Sequence, residues 1–183
     1  MKRSLPAPAR GRGQIVVLVA VMLAFILVPL GLLILAVNQE RTAFAAIDTL
    51  MHTAATDGAG VLADTSVVAG VPALAGDSAS CAGTMDVGSA AGRACRTLEA
   101  GLEHLFPGHY ARVNVSEALA ATHVSVLNGT PAAPAQDPDT REVYHYPTVC
   151  ISSHLRIGVM AYDGVGMTFA FHACAQTVWQ TGG

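Results

Sequence analysis

An uncharged run of 23 residues, Ile15 to Val37 (IVVLVAVMLAFILVPLGLLILAV), limits what this chain can become more than any other feature. As a helix it would extend about 34 Å, against a bilayer hydrocarbon core of about 30 Å. Seventeen of its residues are Val, Ile, Leu or Phe. At a few tenths of a kcal/mol each, they favour insertion by roughly 5–10 kcal/mol. Pro29 opposes this by about 3 kcal/mol, the cost of a proline in a helix interior, and insertion still wins. With Gly31 close by, Pro29 marks an expected kink, which membrane helices tolerate where neighbours or local backbone adjustment satisfy the freed carbonyl.

A secretory signal has a shorter apolar core, roughly 7–15 residues, followed by a small-residue cleavage site. Ala43 and Ala45 give an A-x-A pattern, but they follow the charged Glu40-Arg41 pair inside what reads as a continuing helix. The expectation is therefore an uncleaved anchor. Lys2, Arg3, Arg10 and Arg12 precede the span with no acidic residue among them, so the positive-inside rule keeps the N-terminus cytoplasmic and puts the remainder outside. From Asn38 onward six arginines stand against all thirteen acidic residues, a balance of −7 that the whole-chain value of −3 conceals. An acidic outer part with no basic cluster argues against nucleic acid or anionic lipid as its partner.

Past the span the apolar period persists: Phe44, Ile47, Leu50, Met51, Ala54, Ala55, Gly58, Val61 and Leu62 make one helical stripe, with Asp48, His52, Thr56 and Asp57 largely off it. Such a stripe predicts an amphipathic helix laid on an outer domain. Small residues with Gly70, Pro72 and Gly76 predict a loop from Ser66 to Ser80. A second helix is expected from about Ala90 to Phe106, ended by Pro107-Gly108. The period then becomes two. Ala111, Val113 and Val115 form one alternation, and Val124 and Val126 another. The segment NGTPAAPAQDPDT, Asn128 to Thr140, reads as an exposed loop. Two longer strands follow, about Val143 to Gly158 and Met167 to Trp179, joined through Tyr162-Asp163-Gly164. The expected fold is thus α+β: a leader (1–14), a transmembrane helix (15–37), a juxtamembrane amphipathic helix (38–66) and a small outer domain (67–183) of helices packed on an antiparallel sheet.

Three pieces of the N-terminal third, RGRGQ, VLVAVMLAFILVPLGLLILAVNQER and LMHTAATDGAGVLA, resemble the TadE/TadG-like proteins of the tight-adherence (Flp) pilus assembly system. Pro29, Leu35-Ala36-Val37, Arg41 and the helix from Leu50 to Ala63 stand where that family has its central proline, span ending, polar arginine and alanine-rich helix. The likeness covers residues 11–63. It implies a non-enzymatic pilin-like or accessory subunit in the bacterial cytoplasmic membrane, with other pilus or secretion-assembly proteins as partners. The processed pseudopilins of this system carry Glu at the fifth mature position; here Val16 or Leu18 falls there, counting from Gly11 or Gly13. That departure implies the unprocessed, TadG-like branch.

For chemistry, the four cysteines come first. Cys81, Cys95, Cys150 and Cys174 all lie on the expected outer side, where thiols are oxidised, so disulfides are the expectation. Three pairings are open. Cys81 and Cys95 bracket a short loop and helix start, and Cys150 and Cys174 lie across the last hairpin. A turn at Asp163-Gly164 would oppose Cys150 to Thr177, whereas a Cys150–Cys174 pair needs the turn centred near Tyr162. The rival is a metal-binding or enzymatic site from Cys150, His154, His172 and Cys174, two Cys and two His sharing strand faces, at spacings that match no common zinc module.

Other catalytic patterns are weak. GDSAS at Gly76 to Ser80 lacks the closing glycine of a nucleophile elbow. His52, His104, His109, His123 and His145 are scattered, and H-E-x-x-H, P-loop and G-x-G-x-x-G patterns do not occur. Asn114 and Asn128 head glycosylation triplets expected to stay bare. The apolar face Met167, Phe169, Phe171, Ala173 is expected to pack on the helices. The sequence therefore predicts no enzyme, no cofactor and no small-molecule substrate.

Overall fold

A computed structural model describes residues 12–64, 66, 71–83, 86–105, 113–158 and 166–177, and the chain divides into two compact units, Met1–Arg41 and Thr42–Gly183. Helix α1, Arg12–Ala59, supplies the first unit's described residues and opens the second. Its stretch Ile15–Leu35 is long and apolar enough to cross a membrane, and none of that stretch is buried. The helix continues through Pro29, whose ring removes the N–H that would bond the Phe25 carbonyl. A Cβ at Gly31 would meet nothing within 4 Å, so packing within this chain does not demand glycine there. Lys2, Arg3 and Arg10 lie outside the described residues.

In the second unit the predicted stripe becomes a core. Ile47, Met51, Ala54 and Ala55 are fully buried, and Phe44 packs its ring 4.8 Å from Phe171 and 5.8 Å, edge-on, from Phe169. The helix closes at Ala59, short of the 38–66 stretch expected. Val61 then bonds back to Gly58, and Leu62 bridges Leu74.

Strand β1, Ala79–Ser80, arises within the segment expected to be loop. Helix α2, Ala90–Leu105, begins where Ser89 accepts a hydrogen bond from the Gly92 N–H at 3.0 Å, a side-chain cap for one of the four donors that a helix start leaves unpaired. It buries Ala94, Cys95, Leu98 and Leu102, the face that the 3.6-residue period marks. Alanines and glycines let the two helices approach closely: a Cβ at Gly58 would lie 2.8 Å from the Ala90 carbonyl oxygen and 3.0 Å from the Ala94 Cβ.

The alternation Ala111, Val113, Val115 does not make a strand in its described part. Val115–Ala120 is instead a short helix, α3, capped by the Asn114 side chain accepting from Glu117 N–H. A five-residue alternation is a weaker local signal than a capping asparagine with a carboxylate at the third helical position.

Strands β2 (Thr122–Asn128), β5 (Pro147–Gly158) and β6 (Gly166–Gln176) join β1 in an antiparallel sheet ordered β1-β2-β5-β6, while β3 (Ala135–Gln136) and β4 (Val143–Tyr144) form a separate two-stranded ribbon. The long strand expected from Val143 is thus broken at His145-Tyr146. One sheet face, with Val124, Val149, Ile151, Leu155 and Phe171, joins the helical core. Register places Cys150 opposite Cys174 and Gly158 opposite Gly166, and Tyr162 lies outside the described residues. The expected Asp163-Gly164 turn lies outside the described residues.

Candidate functional site

The other sheet face carries the cysteine pair. On β5 the core-facing residues are Val149, Ile151, Ser153 and Leu155, so strand alternation turns Cys150, Ser152 and His154 to the far side. Cys150 and Cys174 stand at disulfide distance with a Cα separation of 4.1 Å. Thr177 N–H donates to the Pro147 carbonyl, and counting along the register makes 150 and 174 a non-hydrogen-bonded pair. That is where antiparallel strands bring side chains closest. Cys81 and Cys95 form a second pair, Cα separation 5.4 Å, tying the end of β1 to α2. Both are buried.

Over Cys150 and Cys174 lies a group that sequence reasoning missed. Asp137, inside the segment expected to be exposed loop, has no solvent exposure at all. Its turn is built locally: Asp137 N–H donates to the Glu142 carbonyl, Arg141 N–H donates back to the Asp137 carbonyl, and Arg141 closes the turn at φ 64°. The carboxylate accepts from the Thr140 hydroxyl at 2.7 Å, the Thr140 N–H at 3.3 Å and the Asp139 N–H at 3.5 Å. His172 Nε2 lies 3.2 Å from Asp137 Oδ2 and 3.2 Å from Cys174 Sγ. One ligand-type atom from each of Asp137, Cys150, His172 and Cys174 falls within 4.8 Å of the others. Among the described residues His172 Nδ1 is buried with no hydrogen-bond partner; the tautomer protonated at Nε2, donating to Asp137, leaves Nδ1 as a bare acceptor rather than an unsatisfied donor.

This corrects the expected histidine pair. His154 shares the face with Cys150, but it sits four residues along the strand, about 13 Å away, is exposed, and pairs with Ala170. Its place beside the cysteines is taken by Asp137. A D-P-D-T run is the one signal for it in the sequence, since an Asp accepting from N–H groups two and three residues on is a common turn builder.

Next to this group, Tyr144 donates to Glu142 Oε2 at 2.7 Å. Burial first, then that hydrogen bond and the charges of Glu142 and Asp137, push the phenol up from 10 to about 12. A raised phenol means the folded state holds its proton longer than the unfolded state does. The contribution of Tyr144 to stability is therefore fully present below pH 10 and is lost as pH rises from 10 through about 12. Tyr144→Phe is expected to flatten that alkaline decline; denaturant melts of both proteins across the window check it, and parallel curves would refute the assignment.

The remaining expected features fall elsewhere. Asn128, head of one glycosylation triplet, accepts from Leu74 N–H at 2.7 Å and donates to the Leu74 carbonyl at 3.3 Å. His52 lines a groove between α1 and α2 with Thr49, Thr53, Thr56, Asp57 and Thr97. There the α1 hydroxyls donate to carbonyls one turn back and Thr97 donates to Asp57.

Fold and site together define a class: an α+β domain with two cysteine pairs, whose first helix also carries one apolar stretch of membrane-spanning length. No protein-family model, curated protein or solved structure matches the chain.

Proposed function

We propose that the chain is a membrane-anchored, non-enzymatic subunit of a Flp/Tad-type pilus or secretion apparatus in the bacterial cytoplasmic membrane, N-terminus inside and C-terminal domain outside. The observation that carries the reading is α1: one helix holds both the apolar stretch Ile15–Leu35 and the buried stripe from Ile47 to Ala59. A subunit so built is held at the membrane surface by the same element that contributes the buried stripe of its outer core. Both cysteine pairs fit an oxidising compartment. The basic leader fits the stated orientation, and the likeness of residues 11–63 to TadE/TadG-like proteins gives the assembly role. The action is placement: presenting an acidic outer domain to pilins or assembly proteins.

Two measurements test it. Protease added to intact spheroplasts is expected to digest the C-terminal domain while leaving the N-terminal leader protected. Deleting the gene is expected to abolish surface pili and adhesion. Protection of the C-terminal domain would sink the topology, and unchanged piliation would sink the assembly role.

A further inference from the structure

We propose that Asp137, Cys150, His172 and Cys174 form a zinc site that opens when the Cys150–Cys174 bond is reduced. The argument is independent of the membrane reading, and either can fail alone. The four side chains offer one carboxylate oxygen, one imidazole nitrogen and two thiolates. That is a mixed donor set suited to a tetrahedral, borderline-soft divalent ion. Their candidate ligand atoms already lie within 4.8 Å of one another. Tetrahedral zinc with Zn–S bonds of about 2.3 Å separates two sulfurs by about 3.8 Å, so the cysteines need only part within their own register.

The surroundings point the same way. Asp137 is a carboxylate with no solvent exposure, and the groups that meet its oxygens are two backbone N–H groups, the Thr140 hydroxyl and the His172 ring. A carboxyl group held in place away from water by such donors is a preformed oxygen ligand for a cation. Thr140 fixes the carboxylate as outer-shell partners fix metal ligands. The His172 side chain is 29% exposed, which leaves an entry path from solvent beside β6.

In the oxidised state the two sulfurs share a bond and only Asp137 and His172 remain as donors. A dithiol reductant transfers two electrons to that bond, which breaks and takes up two protons as the dithiol closes to its own disulfide and releases two. Zinc then binds both sulfurs as thiolates, and the two thiol protons go to solvent. The pair thus works as a gate: closed and metal-free when oxidised, occupied when reduced.

The test uses the full chain purified in detergent, oxidised or reduced with a phosphine, and titrated with Zn²⁺ alone or with Co²⁺ as a coloured probe. The reduced protein is expected to bind one ion, to show thiolate-to-cobalt charge transfer with tetrahedral d–d bands, and to gain alkylation protection at Cys150 and Cys174 only when zinc is added. The oxidised protein is expected to bind none. Asp137→Asn and His172→Gln should each weaken binding at least about tenfold, since even outer-shell partners of metal ligands are worth 10–100-fold; His154→Gln should leave it unchanged. Far-ultraviolet circular dichroism follows the fold throughout. No binding by the reduced wild type, zinc protection at Cys81 and Cys95 instead, loss of binding in His154→Gln alone, or loss of fold on reduction would each overturn the proposal.

Discussion

Leu98→Ala is expected to lower stability by about 3–5 kcal/mol, the upper part of the range for a buried leucine truncated to alanine. Leu98 has no exposure and sits in a core where Ile47, Met51, Leu102, Ile151, Leu155, Phe171 and several valines stand among many alanines. A cavity costs less when neighbours can move in. Here the helices are already at their limit, because at Gly58 the backbone of α1 meets the Ala90 carbonyl with room for no Cβ. The void therefore stays open. Against a typical domain stability of 5–15 kcal/mol, the loss would unfold a sizeable fraction of molecules near physiological temperature. Urea unfolding with both cysteine pairs intact should show a lower midpoint at an unchanged slope, while Leu98→Met, nearly equal in volume, should cost less than about 1.5 kcal/mol. A Leu98→Ala penalty below about 1 kcal/mol would mean that the helices do relax inward.

The double substitution Leu23→Arg with Leu27→Arg is expected to release the protein from the membrane. Each arginine near the centre of a span costs about 2.5–3.5 kcal/mol, and each lost leucine gives up a few tenths more. The sum, roughly 6–8 kcal/mol, is close to the whole of the 5–10 kcal/mol by which the apolar stretch favours insertion. Both positions are exposed and face no protein partner in the second unit's core list, so the fold of the outer domain should survive. Alkaline extraction of membranes gives the readout: wild type stays in the pellet, the double variant moves to the supernatant. A double variant that resists extraction would show that something other than the greasy stretch holds the chain.

Both expectations rest on features of different legibility. The apolar stretch, the stripe from Ile47 to Ala59, the start of α2 at Ala90 and the alternation in β2, β5 and β6 could be read directly. Each is a period written over neighbouring residues, so it is legible without knowledge of any distant contact. Alternation also put Cys150 with His154 on one strand face and His172 with Cys174 on one face of the next, and the sheet register brings the two faces to the same side. Alternation could not tell how far along that face they lie. Distance comes from register, and only pairing across the hairpin set Cys150 against Cys174.

The short alternation from Ala111 to Val115 misled for a related reason, since five residues do not outweigh a helix cap. The segment from Asn128 to Thr140 misled for the opposite one. Its composition describes a turn and says nothing about what the turn rests on, so the burial of Asp137 beside His172 became visible only in three dimensions. The sequence by itself determined the apolar anchor-length helix, the amphipathic continuation and the α+β class, because those are short-range consequences of side-chain period. The tertiary structure alone decided the cysteine partners, the exclusion of His154 and the arrival of Asp137, because those depend on which distant residues the folded backbone brings within reach.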